Sequence, residues 1–253
     1  MIIGILGVGH LAHSILRRLI ASGHPPAGLL LSPRGQAARL SAEYMIPLAA
    51  DNHALVESSD IVLLAVRPAH AAGAVAGLPW RERHLIVSAC AGVPIAVLEK
   101  AALRARVMRI MPVTACEVGA SPTTAFPDIA EARILLDPLG PVIPLKAEAD
   151  FEIATVSAAI YGWAQELIRL AANWQAAEGL DPETARRLVA LTFSGAGRLI
   201  AEKPEGMERL LEELVTPGGI TERGLDVLRG RDVPQAWTEA CAAVIDKLKA
   251  TAD

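Results

Sequence analysis

From residue 1 to about residue 146, short runs that are apolar throughout alternate with stretches of helical period. The runs fall at residues 2–6, 28–31, 61–66, 85–89 and 107–110. None alternates apolar with polar residues. Each therefore predicts a strand covered on both faces, as parallel strands flanked by helices are. Amphipathic stretches lie between the runs, among them residues 11–22, closed by Gly23, and residues 68–76. Repeated strand–helix–strand order predicts an α/β fold, a Rossmann-like doubly wound parallel sheet with right-handed crossovers. Residues 123–125 and 142–145 are candidates for edge strands.

After about residue 147 the texture changes. Residues 151–178 are Ala-rich, helical in period and free of proline, about seven turns if they form one helix. Gly179-Leu180 breaks the pattern. Asp181-Pro182-Glu183 then supplies an N-cap followed by proline at the first helical position, opening a second helix to about residue 201. Shorter helical segments follow at 207–214, 221–228 and 234–249. The expected division is a dinucleotide-binding domain over residues 1–147 and an all-helical domain over residues 148–253. An alanine-rich helical domain of that size makes a small core, so a core shared between two copies of the chain is expected.

Composition narrows the classes. Hydrophobic residues make up 52% of the 253, yet much of that excess is alanine, and no run reaches the ~20 uninterrupted apolar residues that a membrane span needs. The N-terminus lacks a basic segment and glycines interrupt its apolar run, which argues against a signal peptide. Three widely spaced cysteines, Cys90, Cys116 and Cys241, suit a reducing, cytoplasmic setting and lack metal-ligand spacing. A net charge of −4 without Lys/Arg clusters argues against nucleic acid.

Two glycine elements carry candidate chemistry. Gly7-Val8-Gly9-His10-Leu11-Ala12 follows an apolar run and opens a helical one, the context in which G-x-G-x-x-G/A means dinucleotide binding. Gly7 permits the tight turn, Gly9 lets backbone approach a pyrophosphate, and Ala12 lets helix pack on strand. At the end of the second run, where NAD enzymes place a carboxylate, this chain has Ser32-Pro33-Arg34. A hydroxyl and a guanidinium suit the 2′-phosphate of NADP, so NADPH is expected over NADH; Arg34 as a solvated loop residue is the plainer alternative. Downstream, Thr216-Pro217-Gly218-Gly219-Ile220-Thr221 leads into a helix. Its amides are either a seat for a substrate carboxylate or part of a simple helix connection.

These elements and the segments between them resemble the pyrroline-5-carboxylate reductase family nearly end to end. Residues 3–12 resemble its cofactor loop. Asp51-Asn52 and Ala65-Val66-Arg67-Pro68 are similar to its D-N and A-V-K-P segments, and residues 88–93 to its S-x-A-A-G-[IV] run. Residues 107–112 match V-x-R-x-M-P, and residues 215–221 are similar to V-T-S-P-G-G-T-T. The resemblance implies hydride transfer from NAD(P)H to the C=N bond of the small-molecule imine Δ1-pyrroline-5-carboxylate, giving L-proline. It also implies a homodimer, or a larger homo-oligomer, joined through the helical domain. Position by position, it assigns Gly7, Gly9, His10 and Leu11 to the pyrophosphate, Ser32 and Arg34 to the 2′-phosphate, and Asn52 to the adenosine ribose. Ala65, Arg67, Pro68 and Ala91 fall to the nicotinamide half. Gly218, Gly219 and Ile220 fall to the substrate carboxylate, and Thr221 to the imine nitrogen.

Three departures lie on the substrate side. The family's M-P-N-T-P reads Met111-Pro112-Val113-Thr114-Ala115, its S-G-S-G-P-A-Y turn reads Ser157-Ala158-Ala159-Ile160-Tyr161, and Ile220 stands for the first threonine of the final pair. Lost donors alter what a pocket accepts, so a reductase of a different imine and a non-catalytic NADP-binding homologue both remain open. Tyr161 is a second candidate proton donor, against a plainer reading as a helix-core aromatic. Cys90 reads as a buried small residue at a strand end rather than a nucleophile. Related β-hydroxyacid dehydrogenases use a lysine of the helical domain as acid, and residues 151–178 contain none.

Overall fold

In the computed structural model, which describes residues 1–252, the five apolar runs become β1 (Ile3–Leu6), β2 (Leu29–Leu31), β3 (Ile61–Leu64), β4 (Leu85–Ser88) and β5 (Arg106–Met111). The candidate edge strands form β6 (Thr123–Phe126) and β7 (Val142–Pro144), completing a seven-stranded sheet of order β2-β1-β3-β4-β5-β6-β7. The first four joins are parallel, with Ile5 opposite both Leu31 and Leu63. One join departs from the all-parallel expectation: β6 runs antiparallel to β5, Ile110 facing Ala125. The link between them holds only a short 3₁₀ segment, Thr114–Val118, and no crossover helix to carry the chain back to the sheet's other end.

Helices α1 (His10–Ala21), α2 (Ala37–Tyr44), α3 (Asn52–Ser58), α4 (Ala71–Val75), α5 (Ile95–Ala101) and α6 (Arg133–Leu136) cover the sheet. Successive strand residues feed opposite faces. Ile3, Ile5, Ile61 and Leu63 join Ile15, Leu16 and Leu40 in one apolar cluster. Leu6, Val62, Leu64 and Ile86 join Leu55, Val75 and Leu98 in another. Two buried faces are why these runs carry no polar alternation. The pattern announced α1 within a residue of its bounds; residues 68–76 resolve into a 3₁₀ turn, Pro68–His70, and then α4.

The remaining chain is helical: α7 (Ala149–Ala177), α8 (Pro182–Glu202), α9 (Met207–Leu214), α10 (Ile220–Arg229) and α11 (Val233–Ala252). Asp181 caps α8 as expected, accepting from the Thr184 amide at 2.8 Å. By contact the chain divides into one compact unit of Met1–Ala158 with the end from Ile245 onward, and a second of Ala159–Val244. Within the second unit Trp163 and Trp237 meet edge to face, centroids 5.4 Å apart. That unit buries little of its own apolar surface. Helix α8 buries only Ala185 and Val189, while Leu191 and Leu214 are 60% and 66% exposed. Among the described residues no helix is long and apolar enough to cross a membrane.

Candidate functional site

The site on the first unit begins where β1 ends. Gly7 has φ +102°, and a Cβ there would come within 2.7 Å of the Ala65 carbonyl and of Val66. Only glycine lets this turn lie so near the chain leaving β3. Gly9 is the N-cap of α1; a Cβ on it would meet nothing within 4 Å. No side chain caps the helix and its first turn carries no acid, so its opening amides are offered to the open space in front of them. Behind the loop, Ala12 is fully buried and Leu11 packs against the core, while His10 is exposed.

A cleft of ≈ 530 Å³ brings Gly7, Ser32, Arg34 and Asn52 together. Ser32 is 3% exposed, and its Oγ accepts from the Gly7 amide at 3.5 Å, so the hydroxyl also ties the end of β2 to the glycine loop. Arg34 is exposed at the rim. Asn52 opens α3, held by Asp51, which accepts from the Ala54 amide at 2.8 Å. Among the described residues no carboxylate lines this cleft, which suits an anionic guest. Loop, helix end, hydroxyl and guanidinium together fit NADP. The sequence left out His70, Gly73 and Leu78, which line the same cleft from the segment after β3; nothing in their residue types marked them.

The nicotinamide-half candidates follow the ends of β3 and β4. Ala65 donates its amide to Leu6, Arg67 is exposed, and Pro68 starts the 3₁₀ turn. Ala91 is half-buried in the turn after β4. Its neighbour Cys90 is 3% exposed and sends its thiol to the Val66 carbonyl at 3.4 Å. Burial pushes that thiol's pKa up, so Cys90 ties two strand ends and is not ionised for attack. Val113 stands where the family pattern has an amide side chain; it is 7% exposed, and its own amide donates to Ser121 Oγ at 2.9 Å.

The sequence also missed Arg109, on β5 opposite Ser88 and 2% exposed. Its Nη1 lies 3.1 Å from Glu148 Oε1, its Nη2 donates to Glu152, and its guanidinium sits 4.2 Å from the Phe151 ring centroid. The available signal was a charge inside a strand otherwise buried on both faces.

The second unit holds the other candidates. Gly218 has φ +74° and Gly219 is the N-cap of α10. The Gly219 amide donates to Thr216 O at 2.8 Å, and the Gly218 amide to the Glu222 carboxylate at 2.6 Å. Two of the three amides assigned to a substrate carboxylate thus have partners within the chain. Ile220 is 94% exposed, Thr221 half-buried in the first turn of α10, and Tyr161 half-buried on α7.

Comparison with known proteins agrees with both halves. Residues 148–251 match the family described as pyrroline-5-carboxylate reductase dimerisation, and residues 2–92 that described as NADP oxidoreductase, coenzyme F420-dependent. The pyrroline-5-carboxylate reductase of Pseudomonas aeruginosa is 30% identical over 88% of this chain and 86% of its own. Pyrroline-5-carboxylate reductase 3 of Danio rerio is 31% identical over 89% and 83%. Among solved structures, Plasmodium falciparum pyrroline carboxylate reductase with NADP bound superposes with a TM-score of 0.87. It covers 100% of this chain and 98% of its own at 22% identity, a likeness of fold.

Proposed function

We propose, because this chain belongs to the pyrroline-5-carboxylate reductase family, that it reduces the C=N bond of Δ1-pyrroline-5-carboxylate to L-proline with NAD(P)H. The observation that carries the reading is a dinucleotide cleft free of carboxylates on the same chain as the family's helical half. The bound dihydronicotinamide supplies the hydride. The chain's own task is to hold the reactants within about 3–3.5 Å of each other and to place a proton on the imine nitrogen.

In this reading the first amides of α1, with Gly7, Gly9, His10 and Leu11, take the pyrophosphate. Ser32 and Arg34 take the 2′-phosphate, which favours NADPH over NADH, and Asn52 takes the adenosine ribose. Ala65, Arg67, Pro68 and Ala91 line the nicotinamide. Gly218, Gly219 and Ile220 offer amides to the substrate carboxylate, which gains Gly218 only by displacing Glu222 and Gly219 only by displacing the Thr216 carbonyl. Thr221 holds the proton near the imine nitrogen, with Tyr161 as the other candidate donor. Thr221→Ala is expected to lower kcat by about a hundredfold or more, the usual worth of a placed proton donor, and to leave the NADPH Kd unchanged. An unchanged kcat removes Thr221 from the chemistry.

The deciding assay follows NADPH consumption with Δ1-pyrroline-5-carboxylate, beside NADH and a panel of other cyclic imines. Turnover on the first supports the reading. A reductase of another imine is the second reading, favoured by apolar Val113 and by the exposed Ile220; turnover confined to other imines would select it. NADPH binding without any turnover would leave a non-catalytic homologue.

The family match over the helical half indicates a homo-oligomer. We infer a homodimer that covers the exposed leucines of α8 and α9 and works in a reducing, cytoplasmic setting. Sedimentation at micromolar concentration should give two or more copies; a sharp monomer would overturn this.

A further inference from the structure

We propose that Arg109 is a positioning residue for the turn after β4, and that it acts through Glu148. The turn runs over residues 89–94, between two fixed points. At one end the Cys90 thiol is tied to the Val66 carbonyl. At the other, the first amide of α5, that of Ile95, donates to Glu148 Oε1 at 2.8 Å. The N-cap of α5 is Pro94, whose side chain offers no acceptor, so a carboxylate 53 residues along the chain takes the place of a local cap.

The same Oε1 also accepts from Arg109 Nη1. Glu148 is 33% exposed, with the Glu152 carboxylate sharing its guanidinium partner. Without the cation, two carboxylates held close together would repel, and Glu148 would swing toward water. Arg109 cannot follow it: the guanidinium is 2% exposed and lies against Phe151. A rigid, planar donor thus fixes the carboxylate that fixes the Ile95 amide. The turn so anchored carries Ala91, which the proposed function places against the nicotinamide, and the inference rests on that reading. The adenosine end of the cleft, at Arg34 and Asn52, depends on none of these contacts.

That asymmetry supplies the test. NADPH touches both ends of the cleft, whereas adenosine 2′,5′-bisphosphate occupies only the adenosine end. Glu148→Ala is expected to raise the NADPH Kd about tenfold, or 1.4 kcal/mol, and to leave the bisphosphate Kd within about twofold, since only one charge-assisted tether is lost. Glu148→Gln keeps an oxygen for the Ile95 amide and should return NADPH binding to within about threefold of the unmodified chain. Arg109→Lys, which keeps the charge but lacks the planar, two-pronged fork, should weaken NADPH selectively by about three- to tenfold. If Glu148→Ala fails to fold, the other two variants carry the test. Unchanged NADPH binding in Arg109→Lys, equal losses for both ligands, or a glutamine variant as poor as alanine would overturn the proposal. Binding is read without turnover, so a protein inactive on every imine would sink the functional reading while leaving this one testable.

Discussion

Alanine at Gly7 is expected to remove NADPH binding and to lower the melting temperature in the same variant. The residue sits at φ +102°, a conformation costing about 1–3 kcal/mol for a side chain that must adopt it. The added Cβ would also overlap the Ala65 carbonyl at 2.7 Å, and that backbone is fixed, since the Ala65 amide donates to Leu6 across the sheet. Relief must come from the loop, and the proposed function places the phosphates on that loop. At about 2–4 °C per kcal/mol for a unit of this size, a fall of about 5 °C or more is expected. Gly9→Ala is the control. Its Cβ meets nothing within 4 Å at a φ of −99°, so stability should hold while NADPH binding falls, because the methyl enters the space in front of α1. Thermal melts beside NADPH titrations read both. A Gly7→Ala protein that binds NADPH normally would remove the loop from the site.

Arg34→Ala should weaken NADPH by about ten- to a hundredfold and NADH by no more than about twofold, the difference being a charge-assisted contact to a doubly charged phosphate. The guanidinium stands exposed at the cleft rim, so the preference should also shrink as salt rises. Kd values for both cofactors at two ionic strengths decide it. Equal losses for NADPH and NADH would return Arg34 to the solvated loop.

The parts of this molecule that were legible in the sequence are those governed by local chemistry. Largely aliphatic runs, the fifth interrupted by Arg109, gave five strands because each residue meets one of two buried faces. Gly7, Gly9 and Ala12 were readable because a tight turn, open space and close packing each restrict residue type. Asp181-Pro182 marked its helix start for the same reason. What escaped depends on distance along the chain. Helices α2, α3 and α5 are seven or eight residues long, too short for their period to stand out. Arg109 finds its carboxylates 39 and 43 residues away, one just before and one in the first turn of a helix whose start was expected two residues later than it lies. The antiparallel turn into β6 follows from a missing crossover helix, which no single residue announces. Glu222 was in view four residues after Gly218, but its use as a partner for that amide depends on how the loop turns into α10.

The buried hydroxyl of Ser32 bears on any attempt to redesign this cofactor site. Converting such a pocket to NADH usually means writing an acid at the end of the second strand, to accept from the ribose. Here that position is 3% exposed, and its oxygen already serves the Gly7 amide. A longer carboxylate there would crowd the pyrophosphate loop and set a fixed negative charge beside it, exchanging selectivity for loss of both cofactors. On the proposed assignment of Arg34 to the 2′-phosphate, the exposed Pro33-Arg34 pair is the freer ground: substitutions there should alter the choice of nucleotide while leaving the glycine turn in place.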